Sequence, residues 1–212
     1  MNAYAIRLAI ASILAAASFT ASAAVMYESM PYARWQTEMG QGPLTTMSLS
    51  SRFTLANSTA LSGTLLGLLT SGGAPTSVDW KITSASFSGT TLASGTAALT
   101  STLAKNYGLS WFDSSFSFSS PVNLSAGTYW LELDGGTAES GSPIYWVIGG
   151  VAGSDTMQKD SGGIHDLGAS TTAFQLLGTL SPVPEPSEWV AISFGLLGIV
   201  WVVKRRFAPA CS

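Results

Sequence analysis

Short runs of alternating apolar and polar positions recur through the middle of the chain, with clusters of small residues between them. Phe112, Ser114, Phe116 and Phe118 fall on one side of such a run, and Asp113, Ser115 and Ser117 on the other. Tyr129, Leu131 and Leu133 alternate with Trp130 and Glu132. A repeat of two marks a half-buried strand, because successive side chains of an extended chain point to opposite faces. The same reasoning predicts strands over 47–55, 61–69, 78–83, 91–97, 144–148 and 173–177. Ser71-Gly72-Gly73-Ala74-Pro75, Ser125-Ala126-Gly127 and Asp134-Gly135-Gly136 supply turn chemistry between them. Roughly eight or nine strands at this spacing predict an all-β domain, an antiparallel β-sandwich of jelly-roll-like form, over residues 25–181. No stretch between 45 and 180 carries a helical repeat, and 25–42 fits an edge strand followed by a loop.

The hydropathy pattern changes at both ends. Arg7 precedes an apolar run over 8–19, and Ala21-Ser22-Ala23-Ala24 then presents the small residues a signal peptidase needs. Residues 1–24 therefore read as a signal peptide, cut before Ala24 or, in the neighbouring frame, before Val25. At the other end, Val183-Pro184-Glu185-Pro186 precedes an apolar run over 189–203, followed by Lys204-Arg205-Arg206 and a tail over 207–212. As a helix, 15 residues reach about 22 Å, against a hydrocarbon core of about 30 Å. Snorkelling of the basic side chains and interfacial seating of Trp189 cover part of that shortfall. The positive-inside rule places Lys204, Arg205 and Arg206 in the cytoplasm, so the sandwich faces the other side of the inner membrane. Both ends thus specify one orientation. Pro182, Pro184 and Pro186 lack amide donors and disfavour helix in the residues before them, which keeps the segment extended. A proline-rich linker before a permanent anchor satisfies the same physics.

The order of Val-Pro-Glu-Pro, short apolar helix and terminal basic cluster over 182–206 resembles the PEP-CTERM sorting signal of Gram-negative bacteria. That tail is also known as an ice-binding protein C-terminal domain. Glu188 departs from the common pattern, which has an uncharged residue there, although a carboxylate suits the first turn of a helix. The resemblance implies a substrate of exosortase, a membrane-embedded protease, with export by signal peptidase and the secretory machinery. It further implies a periplasm-facing, tail-anchored intermediate at the inner membrane, then a place at the cell surface or outside, linked to exopolysaccharide and biofilm. The middle also resembles a recurrent ectodomain of PEP-CTERM proteins, through Val78-Asp79-Trp80-Lys81-Ile82, Leu92-Ala93-Ser94-Gly95, Leu124-Ser125-Ala126-Gly127-Thr128-Tyr129-Trp130-Leu131 and Phe174-Gln175-Leu176. That likeness implies a sandwich and no particular activity.

Composition narrows the chemistry. Only 10% of residues are charged, well under the usual share of about 25%. Ten acids and five bases lie between Val25 and Val183, a net charge of −5 on the exported part. With no basic patch there, nucleic acid is not an expected partner. His165 is the single histidine and Cys211 the single cysteine. Zinc and cysteine chemistry are thereby excluded from the exported part, and a Ser-His-Asp triad could use only His165 with its neighbour Asp166. A glycosidase needs two carboxyl groups on one cleft, for which Glu132 and Asp113 are the candidates if their strands face the same side. Asp155, Asp160 and Asp166 share a Gly/Ser-rich loop over 149–168, without any recognised calcium spacing. Trp111, Trp130 and Trp146 are candidates for stacking on sugar rings. The expectation is a non-enzymatic surface or extracellular-matrix protein without a cofactor, the alternative a carbohydrate-binding module acting in exopolysaccharide.

Overall fold

The computed structural model describes residues 23–35, 40–149 and 155–181. The chain divides into two units, and Leu180 closes the first. The expected signal-peptide core, the motif Val183 to Pro186, the apolar run 189–203, and Lys204, Arg205 and Arg206 all lie outside the described residues. Among the described residues, no helix is long and apolar enough to cross a membrane.

The described residues up to Leu180 form an antiparallel β-sandwich. Strands β1 (Ala24–Glu28), β2 (Gly40–Pro43), β4 (Thr59–Thr70), β7 (Thr100–Tyr107), β8 (Leu109–Leu124), β10 (Ile144–Gly149), β13 (Thr171–Thr172) and β14 (Phe174–Leu180) form an eight-stranded sheet, sheet A. Strands β3 (Ser48–Leu55), β5 (Pro75–Thr83), β6 (Thr91–Ala98), β9 (Gly127–Ala138), β11 (Thr156–Asp160) and β12 (Gly163–Asp166) form a six-stranded sheet, sheet B, in the order β12-β11-β3-β9-β5-β6. In sheet A, β4 lies between β14 and β8, with β1 beyond β14 and β7 beyond β8.

The alternation read from the sequence orients these strands. Thr64 faces Phe116, Leu66 faces Ser114 and Leu68 faces Phe112 on the inner side of sheet A, while Leu65, Gly67 and Leu69 face Ser115, Asp113 and Trp111 on the outer side. Opposite them, Leu49, Phe53, Val78, Trp80, Ile82, Leu131 and Leu133 fill the inner side of sheet B. Aromatic rings bridge the sheets in two groups. Trp80 meets Phe118 at 4.5 Å and Phe116 at 5.9 Å, and Phe53 meets Tyr27 at 5.8 Å and Phe174 at 6.4 Å. Such tilted and edge contacts add to the area these rings bury, which makes them the main fastening between layers.

The segment after β1 does more than form an edge and a loop. The Ser29 N–H donates to the Phe174 carbonyl at 3.0 Å, so the ladder with β14 runs one residue past β1. A short helix α1 (Tyr32–Trp35) then crosses the outer side of sheet A. There Met30 and Trp35 are fully buried with Leu69, Val147 and Ala173, a second small core outside the sandwich. Gly67 makes this possible. A Cβ on it would lie 2.8 Å from the Ala173 Cβ and 3.0 Å from the Trp35 ring, so only glycine lets the indole lie flat on the strand.

Two expectations are corrected. The Asp134-Gly135-Gly136 turn lies inside β9, where the pairing with β5 shifts register and Gly135 adopts a φ of 59°. A glycine bulge bends a strand without ending it, and its sequence signal is that of a turn. The loop over 149–168 contains the β11–β12 hairpin, closed by Ser161 and Gly162 between Asp160 and Gly163.

Candidate functional site

The three tryptophans singled out from the sequence lie in three different places. Trp146 has no exposure, sits in the main core, and donates from Nε1 to the Ala173 carbonyl at 2.9 Å. Its neighbours in β10 alternate with it, and the residue opposite, Leu68, faces inward. Trp146 is therefore a core residue and leaves the set of candidate stacking surfaces. Trp111 lies half-buried on the outer side of sheet A against the small core around Trp35. Trp130 lies half-buried on the outer side of sheet B, opposite Arg52 and Thr83. No single sugar chain on a flat surface meets both, because the thickness of the sandwich, about 10 Å between its sheets, separates them.

The carboxylates part in the same way. Asp113 is on the outer side of sheet A, where it accepts a hydrogen bond from the Tyr32 hydroxyl. That bond, with partial burial and the nearby negative charge, raises the Tyr32 pKa above its ordinary value. Glu132 is on the outer side of sheet B, yet it is only 7% exposed. The connection after β5 folds back over it. Glu132 Oε1 accepts from the Phe87 N–H at 2.7 Å and from the Thr83 hydroxyl at 3.0 Å. Phe87 itself holds a φ of 52°, a strained backbone for a residue with a Cβ, and Lys159 lies 5.9 Å from its ring centre. Glu132 thus pins a loop, and with Asp113 on the opposite face the two do not flank a cleft.

Asp155, Asp160 and Asp166 are likewise each committed locally. Asp155 pairs with Arg52 at 3.0 Å. Asp160 accepts from the Gly162 N–H at 2.7 Å and from Gln158 at 3.0 Å, and lies 3.3 Å from His165 Nε2. The Gly162 bond, then the Gln158 bond, hold its carboxyl below the ordinary aspartate range. Asp166 accepts from the Gly168 N–H at 2.8 Å. Among the described residues no group of three or more acidic, histidine or cysteine side chains is arranged to hold a metal ion.

Sequence reasoning missed the polar floor at the far end of sheet B. Lys159 stands opposite Ser48, Asp134 opposite Asp79, and Asp79 opposite Thr96, a row crossing five strands. Ser48 donates to Asp134 at 3.1 Å, Lys81 lies 3.9 Å from Asp134, and Thr96 donates to Asp79. Two shallow clefts open on this row and share Asp134. One, of about 320 Å³, also has Ser48, Lys159 and Asp160 in its wall; the other, of about 300 Å³, has Asp79, Lys81, Ser94 and Thr96. Carboxylate acceptors, an ammonium and hydroxyls facing water suit a neutral, hydroxyl-rich ligand. Only strand register brings these residues together, which a single sequence does not display.

At the other end of the domain, Ala23 is exposed and Ala24 is the first residue of β1, opposite Gly178. Cleavage before Ala24 leaves the strand whole, and cleavage before Val25 removes its first rung. No protein-family model matches the chain, and no curated protein matches it.

Proposed function

We propose that this is a non-enzymatic, exported surface or extracellular-matrix protein, sorted through its tail and processed by exosortase, and linked to exopolysaccharide or biofilm. The tripartite tail carries the reading: Val183-Pro184-Glu185-Pro186, the apolar run 189–203 as a single short transmembrane helix, and Lys204-Arg205-Arg206 as the cytoplasmic stop. The pairing of β1 with β14 supports it, since the chain enters and leaves the sandwich on neighbouring strands at one end. The strand orders β1-β14-β4-β8 and β3-β9-β5-β6 suit a jelly roll with β10 to β13 inserted before its last strand. Mass spectrometry of the mature protein tests the sorting. The expected termini are Ala24 or Val25 and a residue between Pro184 and Ser187, and Glu185→Ala leaves uncut protein in the membrane. Intact Ser212 in the secreted fraction overturns the reading.

A second reading, a carbohydrate-binding module, is favoured by the paired clefts around Asp134. In titrations with the host's exopolysaccharide, Asp134→Ala weakens binding under this reading, whereas Trp111→Ala, on the other face, does not. Equal binding by both variants and the wild type removes it.

A further inference from the structure

The edges of the two sheets are treated very differently. On sheet B, β12 is an outer strand of four residues carrying His165 and Asp166. On sheet A, β1 has five residues, a break in register between Val25 and Tyr27, and Glu28 at its end. Strand β2 is four residues long and ends in Pro43, and β7 breaks register before Lys105. Short length, charge, proline and irregular register are the means by which folded chains keep sheet edges from pairing with one another. Strand β13 has only two residues, and the last edge, β6, has none of these features over most of its length. It pairs on one side only, with β5, in unbroken register from Ala93 to Ala98. From Ile82 to Ala104 there is no charged residue and no proline. Leu92 is 44% exposed, and Ser94, Gly95, Thr96 and Ala98 are exposed beside it. Among the described residues, no backbone hydrogen bond reaches the outer side of this strand.

We propose that β6 is a self-association edge, at which a second copy of this chain adds antiparallel to the first. The occupant follows from charge and symmetry. The exported part is net negative by five charges, so most surfaces of two copies repel when brought together. Along β6 two identical strands meet with no charge in either. A two-fold axis through the strand makes the contact self-complementary, and backbone N–H and C=O groups supply its bonds, so side-chain fit is not required. The product is one continuous sheet made from two six-stranded sheets B. This inference rests on the fold alone, and its failure would leave the sorting of the tail untouched.

Single cysteines test it, in the full chain exported from a bacterial host. On a Cys211→Ser background, one cysteine is placed in turn at Leu92, Ser94, Thr96 or Ala98. Directly opposed residues of an antiparallel pair have Cα atoms about 4.5–5.5 Å apart, within disulfide range. The expected result is a disulfide-linked dimer that peaks at one of these positions, nearest the axis, and none for Ile164→Cys on β12. An axis at Gly95 sets Ser94 against Thr96, so the paired single-cysteine chains Ser94→Cys and Thr96→Cys are also mixed; no dimer in any of these combinations, or an equal yield at Ile164, overturns the proposal. Sedimentation of the chain without added cysteine gives an independent reading. Ser94→Lys, which sets like charges against each other at the contact, raises the dissociation constant by about fivefold or more. A wild type that stays monomeric, or a variant that associates equally well, overturns it.

Discussion

Glu132 shows how a side chain on the outer face of a sheet becomes part of the interior. Its strand neighbours Trp130 and Asp134 share its side and are partly open to water, but the Phe87 loop closes over it. A carboxyl group so enclosed needs hydrogen bonds to offset lost hydration, and Phe87 N–H and the Thr83 hydroxyl provide two. The Phe87 N–H in turn depends on it. Glu132→Ala leaves the Phe87 N–H without its acceptor, while the Thr83 hydroxyl keeps the Ala85 carbonyl at 3.0 Å, and it destabilises the fold by about 1–3 kcal/mol. Glu132→Gln, which keeps the Oε1 acceptor, recovers most of that loss. Urea denaturation of the two variants beside the wild type measures the difference. Equal stability of the alanine variant and the wild type contradicts this role. From the sequence Glu132 is a polar residue in an alternating run, and nothing local tells a covered outer face from an open one.

At the scale of elements, the region after β1 is a strap. Ser29, Met30 and Trp35 carry the chain from the edge of sheet A onto its outer face, where Trp35 is 1% exposed and its Nε1 donates to the Met30 carbonyl at 3.1 Å. Tyr32 ties the same segment to Asp113, and its backbone N–H donates to Glu28 at 2.9 Å. Replacement Trp35→Ala removes the largest side chain of this small core and costs about 3–5 kcal/mol. For a domain of this size the midpoint of thermal unfolding falls by about 2–4 °C for each kcal/mol. Calorimetry checks this, and a fall under a few degrees would mean that the strap is not part of the cooperative unit. The sequence marked 25–42 as an edge strand and a loop, and the edge strand is there. The burial of Trp35 was not legible, because it depends on Gly67, more than thirty positions away, facing outward from β4.

For the whole molecule, the sandwich separates what the sequence had grouped. The strands expected over 47–55, 61–69, 78–83, 91–97, 144–148 and 173–177 correspond to β3, β4, β5, β6, β10 and β14, each within a few residues at its ends. The Phe112 run proved to be the middle of β8, and the Tyr129 run the start of β9. Strands β7, β11 and β12 carry too little apolar alternation to be seen, being edge or hairpin strands held by pairing alone. Trp111 and Trp130 ended on opposite outer faces and Trp146 inside. Asp79 and Asp134, unremarkable in the sequence, stand opposite one another across β5 and β9. The proposed sugar-binding and self-association surfaces both belong to sheet B, the clefts on its face and β6 at its edge.

By itself the sequence determined which stretches extend and which face of each turns inward, because alternation is a property of neighbouring residues. The proposed signal segment and sorting tail rest on the sequence as well, since hydropathy, small residues and charge are read one window at a time. Which strands lie side by side, which outer faces are covered, and which edge is left unpaired were decided only by tertiary structure. Those depend on register and on contacts between residues far apart in the chain. Pairing energies along a backbone are nearly the same for any sequence, so the choice among registers is made by the packed core and the loops as a whole.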